Sequence, residues 1–314
     1  MSPTTYIAAT ARRAASLFWL LVKVIVPVLI LVRIGEALGV VAWLGALLGP
    51  LMVPLDLPPE TAIAWLACAL IGPPAGLAAL AGLDVSLTVA QASTLGSMML
   101  IAHALPLECS ITAKAGGSFG WSFLFRVVGS FGYGAASALI FAATGWLSQP
   151  ADLSALSAPA DPGLAAWVWA SIELLLTIGA VLLALLVLLD LMEWIGLTAW
   201  LRRLIAPLLI LSGMDARGEG REAAPLVTVG LLLGLTYGAG LIIEAMRRGT
   251  IPPGERNIAL AWLCLSHSVI EDTALMLLMG ASLWPMLLGR LAFTVVVVRL
   301  VAPTLRRRAL TQVA

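Results

Sequence analysis

Charged side chains are scarce in this chain of 314 residues. Asp, Glu, Lys and Arg make up 11% of the sequence, whereas a soluble domain has about one quarter. Hydrophobic residues make up 61%, and the mean hydropathy is +1.03. This composition excludes a water-soluble enzyme and predicts an all-α protein that crosses a lipid bilayer several times.

The chain also lacks a surplus of positive charge. Its 18 Lys and Arg are matched by 17 Asp and Glu, which gives a formal net charge of +1 and excludes nucleic acid as a partner. It contains no Walker A sequence, no Gly-rich dinucleotide loop, no nucleophile elbow and no His-Glu-x-x-His motif. We therefore expect neither enzymatic activity nor a cofactor.

Cysteine is rare as well. Cys68, Cys109 and Cys264 lie in or beside apolar runs and have no Cys-x-x-Cys spacing. This pattern excludes a disulfide scaffold and favours small packing residues.

The first apolar run, residues 16–32, follows Arg12 and Arg13 and could imitate a secretory signal. No small-residue cleavage site followed by a polar region appears after it. We therefore predict an uncleaved first membrane helix with a cytoplasmic start. Because arginines also mark the other end of the chain, we expect both termini on the cytoplasmic side of a bacterial-type inner membrane.

Other apolar runs reach the roughly 20 residues that a membrane helix needs. The one long polar break, 149–162, has two Asp and no Lys or Arg, which predicts a loop outside the cytoplasm. The chain then divides into a first transmembrane repeat (1–145), an external linker (146–163) and a second transmembrane repeat (164–314). Predicted spans are 16–34, 61–82, 86–104, 119–145, 164–189, 224–246, 256–280 and 284–305, with shorter apolar pieces at 37–53 and 194–212.

The two halves share a sequence pattern. An offset of 157 residues relates Gly39 to Gly196, Trp43 to Trp200 and Pro50 to Pro207. After seven inserted residues the offset becomes 164, and it then relates the only two histidines of the protein, His103 and His267. The same offset relates Gly116 to Gly280, Ser118 to Ser282 and Arg126 to Arg290. We conclude that the chain is an internal repeat.

The charges also suggest how the repeats are oriented. If both termini are cytoplasmic and the linker is external, each half crosses the membrane an odd number of times, which predicts inverted repeats. An odd number follows if each histidine segment is a broken or re-entrant helix, interrupted at 104–106 in one half and at 266–268 in the other. The number of full spans stays open at this point.

Each histidine precedes a carboxylate by five residues, Glu108 in the first half and Asp272 in the second. Glu271 adds another acid. Ionisable groups are costly in hydrocarbon and mark functional sites, and repeat transporters bind their substrate where the repeats meet, near the midplane. We therefore predict a substrate site formed by His103, Glu108, Ser110, His267, Ser268, Glu271 and Asp272.

Imidazole and carboxylate together suit two roles, ligation of a transition-metal cation or proton relay near neutral pH. A metal site would use His103, Glu108, Cys109, His267 and Asp272. The alternative is a buried hydrogen-bond network with a packing role only.

Other polar residues form a second group of candidates. Arg126 and Arg290 either pair with Glu108 and Asp272 or line an anion path, and pairing is favoured because an unpaired Arg in hydrocarbon is costly. The remaining members are Gln91, Asn257, Glu173 and Glu244.

The stretches 266–274 and 279–282, together with 105–108 and 114–117, resemble the nucleoside-recognition, or gate-domain, membrane proteins. That domain type also occurs in duplicate in ferrous-iron permeases and in spore maturation proteins. The resemblance covers both halves and implies a transport role, with His103, Glu108, His267, Glu271 and Asp272 at the pathway.

These observations predict an inner-membrane transporter of the secondary type. Its substrate would be a nucleoside-like small polar solute or a divalent metal ion. Its partners would be the lipid bilayer, that substrate and a possible second copy of the chain. The alternative is a non-transporting membrane scaffold or signalling partner in which the two His/acid clusters hold the repeats together.

Overall fold

The computed structural model describes residues 3–156, 163–215, 223–235, 240, 242–245 and 248–311. These residues form helices and loops, with one isolated β-bridge between Thr88 and Pro150. The all-α fold predicted from composition is confirmed. The helices of the first half are α1 (Pro3–Ala37), α2 (Val40–Met52), α3 (Thr61–Leu70), α4 (Pro73–Ala81), α5 (Val89–Ile101), α6 (Leu105–Lys114) and α7 (Phe119–Thr144).

The described residues of the second half form six α-helices. Its last long helix is preceded by a π-helical turn, Pro285–Gly289. The predicted span 224–246 lies partly outside the described residues, as does 157–162 of the linker. The helices described are α8 (Leu164–Trp194), α9 (Leu197–Leu211), α10 (Ala223–Leu233), α11 (Pro253–Leu265), α12 (Glu271–Met276) and α13 (Arg290–Thr311).

The backbone shows a pattern that recurs at the offsets of the predicted internal repeat. Residues with positive φ, which L side chains rarely adopt, recur at the offsets of 157 and 164 residues. They end or break helices at matching points of the two halves. The pairs are Gly39 and Gly196 (φ 71° and 73°), Asp56 and Gly213 (57° and 93°), Ala104 and Ser268 (42° and 48°), and Gly116 and Gly280 (83° and 70°).

The prediction of one span over 61–82 is wrong, because this segment consists of two helices, α3 and α4. Gly72, at φ 141°, leads into Pro73 at the start of α4, and proline cannot continue the hydrogen bonds of the preceding helix. The two helices pack closely: a Cβ on Gly76 would lie 2.6 Å from Cβ of Cys68. The segment is a helical pair that turns within the protein.

The predicted breaks at the histidine motifs are confirmed. Helices α5 and α6 are bent by 41° at a short break and together have the length and apolarity of one span. Thr88 caps α5 by accepting a hydrogen bond from the backbone N–H of Gln91, and Pro106 lies at the start of α6, where its missing N–H costs nothing. In the second half, residues 266–270 separate α11 from α12.

Three other segments of the described part of the chain can cross a membrane by length and composition: Phe119–Thr144, Leu164–Val181 and Pro285–Arg307. The protein is therefore an all-α membrane protein. The inverted orientation of its two halves stays a prediction.

The hydrophobic cores interlock the two halves. Met276 and Met279 of the second half are buried in a cluster built mainly from the first half. Ile101 and Tyr133 of the first half are buried in a cluster built mainly from the second. This interlocking brings the two histidine breaks together.

The loop after α7 contacts the start of α5. The backbone N–H groups of Val89 and Ala90 donate to the carbonyl oxygens of Gln149 and Leu147, both at 2.9 Å. Because the first N–H groups of a helix have no partner within it, this part of the linker satisfies the N-terminus of the helix that leads to His103.

Candidate functional site

Each histidine lies at a helix break whose backbone is hydrogen-bonded to the rest of the protein. In the first half, the N–H of Ala104 donates to the carbonyl oxygen of Cys68 on α3, at 3.0 Å. In the second, the N–H of Val269 donates to the carbonyl oxygen of Leu231 on α10, at 2.9 Å. Irregular backbone inside a membrane protein requires such internal partners. The two breaks are thus fixed in the same way.

The two imidazole rings meet directly. Nε2 of His103 lies 3.0 Å from Nε2 of His267, and the ring centroids are 4.7 Å apart. The side chains are buried, with relative exposures of 4% and 2%. A contact between equivalent atoms of two repeats is what a two-fold relation passing between them produces.

The other ring nitrogens face main-chain carbonyl groups. Nδ1 of His103 lies 2.9 Å from the carbonyl oxygen of Leu100, and Nδ1 of His267 lies 2.6 Å from that of Leu263. A carbonyl oxygen only accepts hydrogen bonds, so each Nδ1 carries a proton. In the neutral rings both Nε2 lone pairs therefore point into the same space, and a proton or a cation is needed between them.

Two carboxylates complete this space. Oε1 of Glu108 lies 3.1 Å from Nε2 of His267 and 3.2 Å from Nε2 of His103. Oδ2 of Asp272 lies 3.5 Å from Nε2 of His103. Ligand atoms of His103, His267 and Asp272 all lie within 4.8 Å of one another. We call the side chains of His103, His267, Glu108 and Asp272 the central cluster. Glu108 contacts both Nε2 atoms but is not in the group whose ligand atoms all lie within 4.8 Å of one another.

Arg126 and Arg290 have different partners near the two carboxylates. Nη1 of Arg126 forms an ion pair with Oε2 of Glu108, and Nε of Arg126 donates to the carbonyl oxygen of Ile101 at 2.8 Å. Arg290 donates from Nη2 to Oγ1 of Thr273 at 3.3 Å. Both arginines are buried, with exposures of 1% and 0%. Pairing with the local acid therefore holds in the first half only.

Hydroxyl groups next to the breaks were missed from sequence. Ser130 donates to the carbonyl oxygen of Met98 at 2.9 Å, and Oγ of Ser266 lies 2.8 Å from Oγ1 of Thr294. Ser130 and Thr294 are equivalent residues, four positions after Arg126 and Arg290. The 164-residue offset was the signal that could have found them.

Several predicted site residues have other contacts. The hydroxyl of Ser110 donates to the carbonyl oxygen of Pro106 within α6, at 2.6 Å. Ser268 contributes its backbone turn, at φ 48°. Glu271 is half-buried in the first turn of α12. Cys109, proposed as a metal ligand, is buried on α6 and is not in the group of clustered ligand atoms found among the described residues.

The second group of candidates is spread through the fold. Gln91 donates to the carbonyl oxygen of Asp56 at 2.8 Å, and Asn257 donates to that of Leu305 at 3.4 Å. Glu244 pairs with Arg248. Glu173 is exposed on α8. None of these four is in the central cluster.

Comparison with known proteins agrees with this architecture. Residues 18–119 match the family model of the Gate domain, described as nucleoside recognition. The chain is 28% identical over 301 residues, 92% of its length, to an uncharacterized membrane protein, YvoD, of Bacillus subtilis (strain 168), of which the match covers 91%. No solved structure gives a significant match. The similarity to the Gate domain thus lies over the first half of the chain and includes its histidine break.

Proposed function

We propose that this protein is a membrane transporter, not an enzyme, and that its cargo is a divalent transition-metal cation. The observation that carries the proposal is the meeting of both Nε2 atoms, 3.0 Å apart, with Oε1 of Glu108 beside them. All of these atoms are acceptors when the imidazoles are neutral. A cation at their centre satisfies them together.

The separations suit a small tetrahedral ion. Zinc binds imidazole nitrogen and carboxylate oxygen at about 2.0–2.2 Å, which in a tetrahedral site places neighbouring ligand atoms about 3.3–3.6 Å apart. The separation of the two Nε2 atoms and the distances from Nε2 of His103 or His267 to the carboxylates described above run from 3.0 Å to 3.5 Å. An ion bound by both Nε2 atoms and Oε1 of Glu108 needs shifts of a few tenths of an ångström, whereas a nucleoside would require the two breaks to move apart.

The position of the cluster supports transport over a purely structural metal site. Its residues come from two broken helices, one from each repeat, and broken helices at membrane depth are where repeat transporters hold their cargo. The two acids of the cluster are matched in number by the buried Arg126 and Arg290, so a divalent cargo enters a region with little net charge. A site that binds the ion only moderately tightly can both capture it and release it.

The family description favours a second candidate, a nucleoside-like solute. In that case the helix starts at α6 and α12 would supply N–H groups to the solute. The alternative in which the cluster only holds the repeats together predicts no ligand at all. We further propose an inner-membrane location with both termini cytoplasmic.

Zinc, uridine and adenosine serve as probes of the purified full-length protein. The proposal expects zinc to bind to the protein, as measured by calorimetry. It also expects proteoliposomes to take up zinc supplied outside, and both His103→Ala and His267→Ala to abolish this uptake. Ser137→Ala is the matched control, because this buried hydroxyl donates to the carbonyl oxygen of Tyr133 in its own helix and is not in the central cluster. Binding of a nucleoside but not of zinc would support the second candidate, and binding of none of the three probes would support a structural cluster.

A further inference from the structure

Arg290 is a buried cation with incomplete partners. Its Nη2 reaches Thr273, but Nε and Nη1 have no hydrogen-bond partner among the described residues. The side chain has 0% exposure. A buried guanidinium is tolerated in a membrane protein when a carboxylate or carbonyl group pairs with it. Arg290 therefore has free donor capacity in the present arrangement.

Arg126, the equivalent residue in the first half, has a carboxylate partner, which Arg290 lacks among the described residues. Arg126 holds Glu108, and Asp272 is the residue equivalent to Glu108. Asp272 instead lies against His103, with Oδ2 3.5 Å from Nε2. The two equivalent acid–arginine pairs thus have different contacts. Glu108 contacts both Arg126 and the imidazoles, whereas Asp272 contacts the imidazole of His103 and has no ion pair with Arg290 among the described residues.

We propose that Asp272 alternates between the cargo and Arg290. With the metal ion bound, Asp272 is a ligand and Arg290 is left as observed; when the ion departs, Asp272 turns to Arg290, which replaces the ion as its counter-cation. A change between staggered side-chain rotamers is enough to redirect an Asp carboxylate. This inference rests on the proposed function, because it assumes a cationic cargo at the central cluster.

The exchange has a consequence for transport. A carboxylate without a partner is costly inside the membrane. If Asp272 were unpaired after the ion leaves, the empty protein would therefore change slowly back to the conformation that accepts another ion. Pairing with Arg290 removes that barrier. Arg290 is then a positioning residue for the empty protein and has little effect on the loaded one.

Net zinc uptake and zinc-for-zinc exchange in proteoliposomes separate these steps, because only net uptake requires the empty protein to return. For Arg290→Gln we expect net uptake to fall at least about tenfold, as befits a buried acid left unpaired, while exchange stays near the parent rate. Arg290→Lys should restore part of net uptake. If Arg290→Gln does not fold, net uptake and exchange are compared in Arg290→Lys instead. Equal loss of both rates, or loss of neither, overturns the inference.

A second measurement does not depend on transport. Unfolding midpoints of Asp272→Asn, Arg290→Gln and the double variant form a cycle that isolates their coupling. We expect the two substitutions to be coupled without zinc and additive at saturating zinc. Additivity in both conditions refutes the exchange. If the parent neither binds nor transports zinc, the proposed function fails, whereas the zinc-free cycle still decides whether Asp272 pairs with Arg290.

Discussion

Ala104 and Ser268 follow the two histidines directly and share a left-handed backbone, at φ 42° and 48°. Neither is glycine, although this conformation costs an L residue about 1–2 kcal/mol. The conformation turns the chain so that each imidazole leaves its helix and points toward the other half. The meeting of the two rings thus depends on a backbone turn that is made twice.

That turn can be tested at Ala104. Ala104→Val should lower the unfolding midpoint, because a β-branched side chain disfavours positive φ, while Ala104→Gly should leave it near the parent value or raise it. Thermal unfolding in detergent measures both. A Val variant as stable as the Gly variant would mean that the turn is not a constrained feature of the fold.

The ion pair between Arg126 and Glu108 provides a prediction about stability. Removal of one partner of a buried pair typically costs about 3–5 kcal/mol, so Arg126→Gln should destabilise the protein strongly by leaving Glu108 without its guanidinium partner. Arg248→Gln is the control, because its pair with Glu244 is exposed, with side-chain exposures of 69% and 49%, and such pairs contribute about 1 kcal/mol or less. Denaturant unfolding of both variants gives the comparison, and equal losses would contradict a buried ion pair.

Much of this arrangement follows from the sequence. Composition predicts the membrane class, and the 164-residue offset between His103 and His267 predicts their equivalence. A contact between the two Nε2 atoms does not follow, since it depends on how two helix breaks dock in three dimensions. The turn at Gly72 was not predicted, because a hydropathy pattern gives the length of an apolar segment but not whether the chain reverses within it. The different partners of Arg126 and Arg290 also escape sequence reasoning, because equivalent residues need not have equivalent contacts.

The orientation of the repeats can be measured with cysteine labels. If the halves are inverted, a membrane-impermeant maleimide should label Ser154→Cys in the linker from outside intact cells and label Arg307→Cys only after the membrane is opened. The native cysteines Cys68, Cys109 and Cys264 are buried, so the parent chain supplies the low background. Labelling of both positions from the same side would rule out an odd number of crossings in the second half.

The last prediction concerns pH. Zinc binding requires both Nε2 lone pairs, since each Nδ1 carries the proton that faces a carbonyl oxygen. Protonation of either imidazole removes a ligand and adds a positive charge, so protons compete with the metal ion. A free imidazole titrates near pH 6.5, and we therefore expect the apparent zinc affinity to weaken as the pH falls from 8 to about 5.5.

The sign of this effect distinguishes the candidate roles. Calorimetry in buffers of different ionisation enthalpy should show proton release on zinc binding in the acidic part of the range, because the metal displaces the proton bound at the Nε2 atoms of the two histidines. Glu108→Gln should weaken binding at every pH and leave its pH dependence in place, since the imidazoles are the groups that titrate in this range. A nucleoside site has no such requirement for neutral imidazoles. Affinity that stays constant across the range, with no protons released, would contradict a metal site made by His103 and His267.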